Sequence, residues 1–181
     1  MPGRMEFRTT ASGAIGATTR MQIDSAGAVT MPTQPAVLAY LNNTTNYNVT
    51  GDGTYHTPTS WTTIGVYNDN FNASTGVFTA PVTGLYFVHF HWLAGGIASG
   101  HNQAYCQINT SNRDWGHWQH HPGNNRDNNN NLLFQITAVV DMDVNDTLSV
   151  RGNVWGQSSK TVDFLADSWP GPTYLNIRLV Q

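Results

Sequence analysis

Only 10% of the 181 residues are charged, 8 Lys or Arg against 11 Asp or Glu for a net charge of −3, where soluble domains average roughly 25%. Polarity rests instead on 19 Asn and 22 Thr, and no basic cluster is present to displace counterions from phosphates, which argues against nucleic-acid binding. Six Trp, seven Tyr and seven Phe argue against disorder, and the shortage of helix formers beside abundant Thr, Asn, Gly and Val predicts an all-β chain.

Residues 1–34 are small and polar, with isolated apolar positions at Met5, Phe7, Ile15, Met21, Ile23, Val29 and Met31. The run Arg20-Met21-Gln22-Ile23-Asp24-Ser25-Ala26-Gly27-Ala28-Val29-Thr30 predicts two short strands around a Ser-Ala-Gly turn. So little apolar surface cannot form an independent core. The segment is therefore either a linker or a stalk that gains its core by packing on copies of itself. Its first residues lack the apolar run of a secretory signal, and no stretch approaches the roughly 18 apolar residues of a membrane span. The expectation is a soluble protein made in a cytoplasm.

Pro32 and Pro35 mark a boundary, and residues 35–181 form the second region. Strand candidates follow at 36–41, 60–67, 76–81, 84–94, 103–110, 132–140, 146–154, 160–166 and 173–180, separated by Gly, Asn, Asp and Pro. Short strands at this spacing predict a β-sandwich or jelly roll. The longest carries Tyr86, Val88, Phe90 and Trp92 on one face and Leu85, Phe87, His89, His91 and Leu93 on the other. A strand apolar on both faces is covered on both. One sister sheet covers one face, so the second calls for a partner.

Cys106, the single cysteine, sits in a strand-like run and is expected to be a small buried side chain. Residues 111–131 read as one long loop containing Trp115, His117, Trp118, His120 and His121. Connections this long are commonly functional or disordered. Rings mixed with Asn, Gln and Arg suit a glycan or receptor contact; the other reading is a polar loop whose tryptophans pin it to its own domain or to a neighbour. Asp141, Asp143, Asn145 and Asp146 suggest calcium by their oxygens, yet lack the Gly and terminal Glu of a helix–loop–helix site. With no nucleophile elbow, metalloprotease helix, phosphate loop or CxxC, no enzyme activity is expected.

Three stretches carry a resemblance. They are Pro35-Ala36-Val37-Leu38-Ala39-Tyr40, then Phe71-Asn72-Ala73-Ser74-Thr75-Gly76-Val77-Phe78-Thr79-Ala80-Pro81-Val82-Thr83-Gly84-Leu85-Tyr86-Phe87-Val88, and Tyr174-Leu175-Asn176-Ile177-Arg178-Leu179. Residues 36–181 resemble the globular head of complement component 1q, one of the tumour-necrosis-factor-like jelly rolls. Asn176 departs from the pattern, standing where that family has a small Gly. Separately, Arg20-Met21-Gln22-Ile23-Asp24-Ser25-Ala26-Gly27-Ala28-Val29 resembles the Arg-Met-x-Ile-Asp-x-x-Gly-x-Val segment of bacteriophage tail fibres and other virion fibres.

The first resemblance implies a ten-strand jelly-roll head over 35–181, on a short extended β stalk over 1–34, associating as a closed homotrimer. In that arrangement Leu85, Phe87, His89, His91, Tyr174 and Arg178 face the threefold axis, while Leu175, Ile177 and Leu179 join the sandwich core. Six imidazoles from His89 and His91 about an axis would suit a transition metal; the alternative is that they bond to neighbouring carbonyls. The acidic run is then more simply a turn before a strand. With the second resemblance, the expectation is a virion fibre or spike whose 1–34 segment joins other virion proteins and whose head contacts a host receptor or glycan. Its alternatives are a non-adhesive capsid cement protein and a secreted ligand; against the latter stand the missing signal and collagen-like stem. No membrane insertion is expected.

Overall fold

The computed structural model describes residues 3–67 and 70–180, built almost wholly from antiparallel strands. In chain order these are β1 (Met5–Thr9), β2 (Thr18–Ile23), β3 (Val29–Thr30), β4 (Ala36–Tyr40), β5 (Asn46–Thr50), β6 (Thr62–Tyr67), β7 (Phe71–Asn72), β8 (Val77–Thr79), β9 (Gly84–Gly95), β10 (Gln103–Thr110) and β11 (Asp114–His120). After the short helical turn α1 (Pro122–Asn125) come β12 (Leu132–Met142), β13 (Thr147–Trp155), β14 (Val162–Phe164) and β15 (Thr173–Leu179).

The first three strands make a sheet of their own, β1-β2-β3. Its β2–β3 turn is the expected one: the Asp24 carboxylate accepts the amide protons of Ala26 (2.8 Å) and Ala28 (2.9 Å), and Gly27 takes φ +85°. Register places Met5 beside Ile23 and Phe7 beside Met21, and Ile23 also pairs with Val29, so these five side chains share one face. None of them is fully buried.

The remaining strands form two sheets, β11-β10-β13-β8-β7 and a seven-stranded one in which β9 is flanked by β12 on one edge and by β15 and β14 on the other. Between them lies the core. Tyr86, Val88, Phe90 and Trp92 of β9 are wholly buried, as are Leu175 and Ile177 of β15; Leu179 is partly buried against them. Trp92 stacks on Phe164 (4.0 Å between ring centroids, 9°) and on Phe134 (4.8 Å, 28°). The opposite sheet makes room by having Gly152 at the crossing, where a Cβ would lie 2.4 Å from the indole. Each large side chain buried here contributes about 1.5–3 kcal/mol. Cys106 is buried as expected, and burial pushes its thiol pKa up.

The nine strand candidates all appear. Three more join them, β5, β7 and β11, so residues 35–181 have twelve strands among the described residues rather than ten. The long loop of 111–131 is the main correction. Its first half is β11, which pairs with β10 from Gln103↔His120 to Asn109↔Asp114 and forms the edge of the five-stranded sheet. Its second half is α1 and a turn in which Asp127 accepts the amides of Asn129 and Asn131. The Asn run is thus turn chemistry rather than low complexity.

Candidate binding surfaces

Each sheet of the sandwich buries one face and leaves the other open, and the two open faces differ in chemistry. On the seven-stranded sheet, strand alternation turns Leu85, Phe87, His89, His91 and Leu93 outward from β9. Register sets Val139, Thr137, Gln135 and Leu133 of β12 beside the last four of these, and Arg178, Asn176 and Tyr174 of β15 beside Phe87, His89 and His91. All six residues expected at a trimer axis therefore lie on this one face. Leu85, Leu133 and Val139 are exposed.

At its centre is a polar aromatic knot. One ring nitrogen of His89, Nδ1, bonds Thr137 Oγ1 (2.7 Å), and the other, Nε2, bonds the Tyr174 hydroxyl (3.0 Å). The His91 ring stacks on Tyr174 (4.7 Å, 20°), and its Nδ1–H donates to the Pro172 carbonyl (3.1 Å). Burial pushes both imidazole pKa values down, favouring the neutral form. Arg178 lies 4.8 Å over the Phe87 ring, a cation–π pair. For a metal, His89 has no nitrogen left; of the two histidines, only His91 Nε2 lacks a partner. Among the described residues no three His, Cys, Asp or Glu side chains converge as metal ligands.

The acidic run is a turn. Asp146 accepts from Ser111 Oγ (2.7 Å), Asn112 Nδ2 (2.6 Å) and the Asp143 amide (2.7 Å), which holds its pKa down, and Asn145 takes φ +74°. Asp141 pairs with Arg113 (2.9 Å). These oxygens are directed into the turn and the ion pair.

The open face of the five-stranded sheet is built differently. Turned outward are Gln103, Tyr105, Gln107 and Asn109 of β10, Asp114, Gly116, Trp118 and His120 of β11, and Ser149, Arg151, Asn153 and Trp155 of β13. None is aliphatic. The Trp118 and Trp155 rings are near-parallel (5.9 Å, 10°), and His120 is near-parallel to Trp118 (6.4 Å, 14°). Tyr105 meets Trp118 edge-on, and Tyr55 meets Trp155 edge-on (6.0 Å, 85°).

This alternation divides the five residues expected to form one contact loop. Trp118 and His120 face outward together. Trp115 and His117 point to the other side of β11, where Trp115 packs against the core. His121 precedes α1 in the left-handed conformation, φ +52°. Nothing in the sequence marks Tyr55, Tyr105, Arg151 and Trp155 as one surface, because they lie far apart along the chain. Reading 114–120 as a strand would have paired Trp118 with Tyr105.

Comparison with known structures settles the architecture. The globular domain of the zebrafish complement 1qA protein superposes with a TM-score of 0.52 at 18% identity, covering 81% of this chain and 98% of that one. The fold is the complement-1q/TNF jelly roll. Murine APRIL, in its crystal structure at pH 8.5, also superposes with a TM-score of 0.52, at 11% identity over 80% of this chain and 98% of its own. No family model and no curated protein matches the chain. In the jelly roll, β9 and β15 lie side by side with their aliphatic and imidazole face open, and the aromatic face of β10, β11 and β13 lies on the opposite side of the sandwich.

Proposed function

We propose that the chain is the subunit of a homotrimeric virion appendage, a short bacteriophage fibre or spike. Residues 35–181 form the outward head that contacts a host surface receptor or glycan, and residues 1–34 anchor it to other virion proteins. The observation that carries this reading is the open face of the seven-stranded sheet. Leu85, Leu133 and Val139 are more exposed there than a free surface favours, and an apolar patch rimmed by polar groups marks an association surface. Complement-1q/TNF jelly rolls commonly trimerise, and a closed cyclic assembly would cover the face in every subunit. The small N-terminal sheet supports the same arrangement, since its apolar side of Met5, Phe7, Met21, Ile23 and Val29 has no covering layer of its own.

The test is solution mass. The full chain should sediment as three subunits, and the double variant Leu85→Asp, Phe87→Asp as one subunit that retains its β-sheet circular dichroism. Removal of 1–34 should leave the head trimeric while abolishing its incorporation into particles. A monomeric full chain at micromolar concentration would overturn the trimer, and incorporation without 1–34 would overturn the anchor. Adsorption of the trimer to host cells separates an adhesive head from a cement protein.

A further inference from the structure

The seven-stranded face carries exposed aliphatic side chains and the face across β10, β11 and β13 carries none, so they suit different partners. The aliphatic face of the seven-stranded sheet suits another copy of the chain. The face across β10, β11 and β13 has rings and hydrogen-bonding groups but no aliphatic side chain, so it makes contacts through ring surfaces and hydrogen bonds. We propose that this face is a saccharide platform, taking neutral pyranose units on the rings of Trp118 and Trp155 with His120, Tyr55 and Arg151 at its rim. The proposal rests on the reading of the head as an attachment device and adds the place and the ligand class.

Three observations support it. First, aromatic side chains reach the surface: Trp118 is 45% exposed and Tyr55 43% exposed. His120, Trp118 and Trp155 stack in successive pairs within 14° of parallel, an aromatic stack to which the apolar C–H face of a sugar can add. Second, the stack is held in place before any ligand arrives, which lowers the ordering cost of binding. A Cβ at Gly53 would lie 2.3 Å from the Trp155 indole nitrogen and one at Gly116 would lie 2.7 Å from the Tyr105 ring, so both glycines let rings settle on backbone. Third, the rim is neutral. Arg151 donates to Asp114 (2.7 Å) and to the buried Gln107 (2.6 Å) and lies 4.7 Å over the Tyr55 ring. Its charge is already matched by a carboxylate, so no uncompensated guanidinium is left for an acidic sugar, while its fixed N–H groups suit hydroxyls.

The experiment applies the full-length trimer to an array of neutral oligosaccharides of glucose, galactose, mannose and N-acetylhexosamines beside sialylated and sulfated ones, followed by calorimetric titration of the best neutral hit. Expected are saturable binding to a neutral glycan, a loss of about tenfold or more in Trp118→Ala, and a loss also in Gly116→Ala, which acts by moving Tyr105. Both variants should remain trimeric. Neutral-glycan binding unchanged in Trp118→Ala would overturn the platform. Binding confined to anionic glycans would overturn it too. Adsorption to host cells with no glycan bound would overturn the platform and leave the attachment reading standing; failure of both would remove both.

Discussion

At position 152 the absence of a side chain matters more than any contact a side chain could make. Gly152 faces Trp92 and Phe164 across the sandwich, and its φ is not left-handed, so the objection to a larger residue is steric alone. Gly152→Ala should overpack the core and cost roughly 1–3 kcal/mol, read as a lower urea midpoint at unchanged slope. The histidines make a second prediction. Burial pushes the pKa of His56, His89, His91 and His101 below the ordinary value. The unfolded chain therefore takes up protons before the folded one does, so their contribution is complete above about pH 6.5 and is lost as pH falls through the lower folded values. Thermal midpoints should be level near neutrality and decline on acidification. The decline should be shallower in His56→Gln, whose amide can still donate to Asn46 Oδ1, the partner of His56 Nε2 at 2.9 Å.

Strands that mix apolar and polar residues with period two, or run apolar throughout, were legible. The segments 84–94, 103–110, 132–140 and 173–180 each declare themselves by Val, Ile, Leu and aromatics, and they match β9, β10, β12 and β15 closely. What escaped was strand structure without aliphatic residues. β11 consists of Asp114, Trp115, Gly116, His117, Trp118, Gln119 and His120, and it is held by seven paired positions along β10 rather than by propensity. β5, Asn46-Tyr47-Asn48-Val49-Thr50, has a single aliphatic residue, and in it Asn48 takes φ +51° and its amide donates to Asp163 (2.6 Å). The candidate trimer face could be read because it lies on one strand and its neighbour. The aromatic face could not, because Tyr55, Tyr105, Trp118 and Trp155 come from four separate segments. Hydrogen exchange should rank the elements by these differences. Amides of β9 between Tyr86 and Trp92, paired on both edges and backed by buried rings, should exchange only by global opening. Those of β1 and β3, at the edges of the small sheet, should exchange orders of magnitude sooner.

Across the whole molecule the low charge becomes a statement about forces. Among the described residues three ion pairs occur, Arg4–Glu6, Arg113–Asp141 and Arg151–Asp114, all at least partly open to solvent. Exposed pairs contribute little and are screened by salt. The thermal midpoint and the subunit number should therefore be the same within error at low ionic strength and in about 1 M NaCl, where the Debye length is ~3 Å. Dissociation of the proposed trimer by moderate salt would show that charge, not apolar burial, joins its subunits.

The lone thiol of Cys106 turns the protein into its own clock. It lies at zero exposure on β10 between the two sheets, out of reach of any reagent while they are closed. Each modification event therefore requires the sandwich to part. With reagent in excess, the modification rate reads how often the sheets separate; with reagent scarce, it reads the fraction of time they are apart. In the proposed trimer, a strand slip within one subunit and dissociation of that subunit would differ in their dependence on protein concentration, so the same sulfur distinguishes breathing from disassembly without any introduced label.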